Sequence, residues 1–335
     1  MRIMKCNFKF FLSLMLMSLL TCNTYAQVSE EVKGEVVYVG SWPNKEMLQA
    51  KKSFFKKLNN IVFGSNDFKF TKPVSLLKDS LSNYWILDQE NTKIIEGDNK
   101  EYKTIKFIEK EKKDLASLVS ISKFSNGRML VCDSYLNKIF VVDPIKKMFY
   151  SLNDSLELLR PTGIVYTPSS NLIWVAETGK HQILVLDESG KLVKVIGKRG
   201  LGSGEFNFPS SLAVDNFENI YVVDAMNFRI QIFDKNGEFK SMFGSNGDGT
   251  GSFASPKGIA IDSYGHIYVV DALFHAVQIF NSRGDFLYAF GTQGRGDGEF
   301  WMPSGIFIDS MNHIYIADTY NSRIQEFSLK LGGEK

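Results

Sequence analysis

Three kinds of residue in this chain are spaced as though for chemistry. Six acids recur at near-constant intervals: Asp88, Asp133, Glu177, Asp224, Asp271 and Asp318, separated by 45, 44, 47, 47 and 47 residues. A ring of carboxylates could hold a cation. A carboxylate where a strand meets a turn can equally cap that turn, and a cation five residues on (Lys93, Lys138, Arg229, Arg323) can pair with it. A job repeated in every copy is one that every copy needs, so the acids read as structural. The glycine-rich stretches GKRGLGSGEF, GSNGDGTGSF and GTQGRGDGEF suggest phosphate cradles. A cradle needs a helix N-terminus facing the anion, and the element that follows here is a strand. Glycines that admit positive φ suit tight crossovers instead. Asp248 and Asp297 in these loops lack the alternating oxygen ligands of a calcium site.

The four histidines fall into two pairs. His266 and His313 sit just before equivalent strands, and His181 and His275 sit in the turns after them. Pairs at opposite ends of a strand cannot converge on one zinc, which usually takes three or four such ligands. Cys132 lies alone in a strand-like run and reads as a small buried hydrophobe. No Gly-x-Ser-x-Gly elbow appears. No residue is therefore expected to be catalytic, none to hold a metal, and no cofactor is expected.

The elements that carry these residues are repeats. The segments FPSSLAVDNFENIYVVDAMNFRIQIFDKNGEFKSMFG, SPKGIAIDSYGHIYVVDALFHAVQIFNSRGDFLYAFG and MPSGIFIDSMNHIYIADTYNSRIQEFSL share one plan, and a period of that size signals a repeat architecture. Each copy holds short β-branched and aromatic runs bounded by Asn, Gly, Asp and Ser, the pattern of strands joined by hairpins. Four antiparallel strands form a sheet apolar on both faces, which is buried only by stacking sheets radially. The markers extend back to Asp88, with an aliphatic six residues after each acid (Ile94, Ile139, Ile183, Ile230, Val277, Ile324). The expected fold is all-β: a six-bladed β-propeller of four-stranded antiparallel blades over residues 59–330. The last copy stops after its third strand, so an N-terminal strand must complete it and close the ring; NNIVFG, 59–64, matches the ending YAFG and is expected to do so.

Ahead of the propeller, residues 27–58 are expected to form an extension with the strand-like run GEVVYVGSW and a short helix over 45–58. Residues 1–26 read as a signal peptide. Arg2, Lys5 and Lys9 precede the apolar run Phe10–Leu20, and Thr24-Tyr25-Ala26 offers small residues at a cleavage site. Loss of those three cations takes the net charge from +2 to −1. A lipoprotein with Cys22 lipidated is the alternative, and it would give the only membrane association. Export, to the periplasm, surface or medium, is the expected location. Nothing in a near-neutral chain suggests nucleic acid.

The pattern PxGIAxDxxGxIYVxDxxNxRIQxF, followed by GxFxxxFGxxGxGxGxF, resembles the NHL repeat of six-bladed propellers, best over 208–329. Asn227, Asn321, His181 and His275 fall at or beside the positions that name the family, though no copy keeps both together. The resemblance implies a secreted binding scaffold more often than an enzyme. Related amidating lyases hold a histidine-bound zinc, and sugar-lactone hydrolases a channel calcium, which makes a metal-dependent propeller enzyme the rival reading. Aromatics crowd the turns after the second strands, where a solvated turn needs none. The expected binding face is Tyr135, His181, Phe228, Phe274, His275 and Tyr320, joined by Arg199 and Arg295 from the crossovers. Aromatics beside arginines are the composition of a recognition patch. The expected partner is a protein, peptide or glycan, met by a monomer.

Overall fold

The computed structural model describes residues 34–43, 70–98, 102–105 and 115–331. The expected signal, the helix over 45–58 and the run 59–64 lie outside them. Six four-stranded antiparallel sheets stand radially around a channel. Their inner strands are Pro73–Lys78, Leu118–Lys123, Pro161–Thr167, Pro209–Val214, Pro256–Ile261 and Ile306–Ile308.

The second strand of each blade is buried on both faces. Tyr84–Asp88, Met129–Asp133, Ile220–Asp224 and Ile267–Asp271 are buried at every residue, and in Leu172–Glu177 and His313–Asp318 only the first is less so. Such a strand reads as a continuous apolar run, without the alternation of a half-exposed one. Each of the six joints between neighbouring blades holds a hydrophobic cluster among the described residues. The outer strands are the exposed ones, as in Phe239–Phe243.

The ring is closed by an N-terminal strand, although by a different one from that expected. Gly34–Trp42, the run GEVVYVGSW, pairs antiparallel along Arg323–Leu331 and becomes the outer strand of blade six. It buries Val36 and Trp42, and Trp42 stacks on Tyr315 at 5.6 Å. Thirty residues separate Trp42 from Pro73, against twelve between Phe243 and Pro256, so the connection from the closing strand to blade one is longer than an ordinary crossover. In blades four and five the Phe of the FG pair ends the outer strand and the Gly opens the crossover. Gly244 has φ of 92°, and a Cβ there would collide with the ring of the fully buried Phe253. The FG pair therefore marks a strand that runs on into a crossover.

Candidate functional site

The recurrent acids are anchors for the crossovers. Asp224 is fully buried and accepts hydrogen bonds from the Asn207 N–H at 2.6 Å, Asn227 Nδ2 at 2.8 Å, Arg229 Nε at 2.8 Å and Gln231 Nε2 at 3.1 Å. Arg229 carries the anchorage onward, donating to the carbonyls of Leu201, Gly202 and Glu205. Blade six repeats the arrangement with Asp318, Trp301, Asn321, Arg323 and Gln325. Blade five has Ala276 where the arginine stands, and Asp271 instead takes backbone N–H groups from Ala254, Ser255, Leu273 and Phe274. The expected lysine pairing fails in blade two, where Lys138 meets Asp154 at 2.9 Å. Carboxylates so fully supplied with donors have no lone pairs aimed at a cation.

Four residues beyond each acid the chain enters the left-handed region: Thr92, Asn137, His181, Phe228, His275 and Ser322 have φ of 48–58°. This conformation throws the side chain towards the next blade. His181 Nδ1 accepts the Phe208 N–H at 3.0 Å and His275 Nδ1 that of Met302 at 3.1 Å. Asn137 Oδ1 takes the Arg160 N–H at 2.7 Å, and Ser322 Oγ donates to the Thr71 carbonyl at 2.8 Å. Phe228 packs into the cluster between blades four and five. His181, Phe228 and His275, expected on the binding face, are thus joints between blades. His266 and His313 bond Asp262 and Asp309 at the other end of the second strand.

The other expected residues do reach the surface at the crossover end. Tyr135 is 77% exposed and Tyr320 56%. Arg199 and Arg295 are exposed, the latter over the Trp301 ring at 4.8 Å, and Phe274 is half-buried. Tyr135 and Tyr320 occupy one structural position, two residues past the acid, and there the sequence reading missed Met226, 53% exposed, and Leu273, 55% exposed. They were overlooked because the search was for aromatic rings; the repeat register alone would have found them.

This apolar ring surrounds one mouth of the channel. The channel has a volume of about 1210 Å³, and Met226 and Tyr320 reach into its lining. Among apolar residues such as Leu76, Ile121 and Ile259, the wall carries small residues, Ser75, Ser120, Gly163, Ser211, Gly258 and Gly305, at equivalent positions of the six inner strands. Its charged lining residues are Lys72, Arg160 and Lys257 near this mouth and Lys123 at the far end; no Asp, Glu, His or Cys among the described residues lines it. Lys72 Nζ lies 5.9 Å over the Tyr320 ring. A second cavity, about 230 Å³, opens between Arg295, Tyr320, Asn321 and Arg323.

A family model described as a 6-bladed beta-propeller matches residues 153–230, 218–275 and 263–334, more than half of the sequence. The chain belongs to this 6-bladed beta-propeller family. No curated protein matches it by sequence. Solved structures share its fold. Virginiamycin B lyase from Staphylococcus aureus superposes with a TM-score of 0.58 at 16% identity, over 78% of this chain and 96% of that one. A gluconolactonase from Xanthomonas campestris gives 0.60 at 15%, over 78% and 87%. An auxiliary nutrient binding protein from Bacteroides thetaiotaomicron gives 0.62 at 15%, over 78% and 70%. Catalysts and a binding protein thus share this shape, and the propeller's own residues must decide. A channel metal does not fit them: among the described residues no three His, Cys, Asp or Glu side chains come together.

Proposed function

We propose that this chain is an exported, non-catalytic propeller of the NHL type, whose crossover end holds a protein, peptide or glycan partner. The observation that carries the reading is the apolar ring of Tyr135, Met226, Leu273 and Tyr320. The fold does not require large apolar side chains at that position, because blades one and three place Glu90 and Gly179 there. Full burial of each such side chain is favourable by about 1.5–3 kcal/mol, and a ring of them on one surface is the pattern of a contact site. Export is supported by the basic and apolar N-terminal residues. The described channel lining carries lysines and tyrosines but no carboxylate, imidazole or thiol, which supports binding over catalysis.

The test is capture of partners from the native envelope by wild type and by Tyr135→Ser/Met226→Ser/Leu273→Ser. These side chains point to solvent, so the melting temperature should hold while capture is lost. Equal recovery by both proteins would remove the proposed face.

A further inference from the structure

The two cavities at the crossover end are one surface, because Tyr320 lines both. Among the described residues that line these cavities the charged ones are all cations; Glu90, at the ring position of blade one, lies outside both linings. Lys72, Arg160 and Lys257 stand at the channel mouth on blades one, three and five. The smaller cavity adds Arg295 and Arg323, and no carboxylate among the described residues lines either space.

Apart from ring contacts of Lys72 with Tyr320 and of Arg295 with Trp301, these cations are left without partners of opposite charge. Among the described residues Lys72, Arg160, Lys257 and Arg295 make no ion pair, whereas Lys138, Lys180, Lys194 and Lys198, at similar exposures, each have a carboxylate within 4.0 Å. Arg323 differs from its counterpart in the same sense. In blade four, Arg229 Nη1 donates to the Leu201 carbonyl and touches Met242 Sδ. In blade six, Arg323 engages its Nε and Nη2 in the equivalent bonds, and its Nη1 has no partner among the described residues. One face of an anchored guanidinium is therefore left towards the small cavity, an arrangement suited to a carboxylate.

We propose that this continuous surface binds an acidic peptide segment that also carries apolar side chains. The proposal rests on the binding reading above and narrows its partner. Like-signed charges left unpaired around a mouth attract a ligand of opposite charge. The apolar ring needs apolar groups on the same ligand, and its Met226 and Leu273 are aliphatic, which favours side chains over the flat faces of sugar rings. Sugar hydroxyls are held best by carboxylates and amides; among the described residues the channel lining offers only Gln89, and the small cavity Asn321, whose Nδ2 is already bonded to Gly294 and Asp318. The small cavity takes one carboxylate at Arg295 and Arg323. The chain then passes Tyr320 and Lys72 to reach Arg160 and Lys257 across the mouth.

The experiment is selection from a random linear dodecapeptide display library on the full mature protein. The result expected is enrichment of sequences with net negative charge and several apolar residues. Their affinity, measured by fluorescence anisotropy, should fall about tenfold or more between low and high salt as screening shortens the reach of the charges. Lys72→Gln/Arg160→Gln/Lys257→Gln should lose most of that salt dependence, and Lys72→Glu/Arg160→Glu/Lys257→Glu should no longer select acidic peptides. No enrichment, enrichment of neutral or basic peptides, or unchanged binding by the glutamine variant would each overturn the proposal. An oligogalacturonate of equal charge binding at least as tightly would overturn the peptide assignment. Failure here with loss of partner capture in the serine variant would sink the anion site alone; retained capture there would sink the binding face itself.

Discussion

The joint between blades four and five and the joint between blades six and one do the same work with different means. At the first, the chain runs on from one blade to the next. The Gly-rich crossover is fastened near its end by Asp271, which accepts the Ala254 and Ser255 N–H groups, and by Gln278, which bonds Gly251 and Ser252, and a hydrophobic cluster fills the gap. At the second, the chain has no continuity to rely on. Blade six borrows its outer strand from Gly34–Trp42, and Lys78 of blade one reaches Asp309 at 3.2 Å and the Tyr315 hydroxyl at 3.1 Å. Ser304 and Thr319 of blade six also donate to the Val74 and Pro73 carbonyls of blade one. The Thr319 bond repeats that of Thr178 to the Pro209 carbonyl between blades three and four, so what the seam adds to the repeated plan is the borrowed strand and the Lys78–Asp309 pair.

The comparison breaks most sharply if the closing strand is removed. Deleting Gly34–Trp42 forfeits the burial of Trp42, Val36 and Tyr38, each worth about 1.5–3 kcal/mol, and exposes the edge of Arg323–Leu331. The melting midpoint should fall by about 10 °C or more, with aggregation through the freed edge. An unchanged midpoint in a calorimetric scan would show that the seam does not need its strand.

A smaller effect separates the anchors. Asp318→Ala leaves Arg323 buried without its carboxylate, at a cost of about 3–5 kcal/mol, and adding Arg323→Met should recover part of it. Asp271→Ala in blade five strands no arginine, so Ala276 placed beside it should bring no such recovery. Urea denaturation of these variants measures both; equal losses with no rescue would mean the arginine is incidental. Smaller still is Lys78→Ile. Asp309 retains the His313 N–H, the Met311 N–H and the Tyr315 hydroxyl, and blade five already manages with Asp262, His266 and Tyr268 beside Ile308. Burial pulls the Lys78 pKa down, but the hydrogen bond and charge of Asp309 together with Tyr84 hold the ammonium above its usual range, so its contribution is present at neutral pH and fades only in strong alkali. A loss of about 1 kcal/mol is expected; a loss as large as that of the strand deletion would make the ion pair the true latch.

What could be read from the residues follows the same division. Blade number, strand number and the structural role of the six acids came from period and register, because each copy repeats the physical demand of burying both faces of a sheet. The closing strand was misplaced because it occurs once, and a chance FG ending outweighed the better alternation of GEVVYVGSW. The exposed residues of the proposed face were half legible for a related reason. Tyr135 and Tyr320 stood out by type, but His181, Phe228 and His275 were aromatics at a left-handed position, whose direction only the backbone shows. Met226 and Leu273 share the exposed position without sharing the chemistry that was sought.

The smallest predicted effect concerns one of those joints. The His181 imidazole accepts the Phe208 N–H through Nδ1, a bond that the protonated ring cannot make. Burial first, and the nearby Arg199 guanidinium second, hold its pKa below the ordinary histidine value. A group whose pKa is depressed on folding contributes stability above its unfolded pKa, near 6.5, and loses it as the pH falls through the folded value. Blade two makes the equivalent bond with Asn137, which does not titrate. His181→Asn should therefore leave the midpoint within about 2 °C of wild type at neutral pH and lessen the decline seen on acidification below pH 6.5. Parallel pH profiles for the two proteins would show that this joint carries none of the acid sensitivity, leaving it to seam carboxylates such as Asp309, whose donors hold its pKa down against burial.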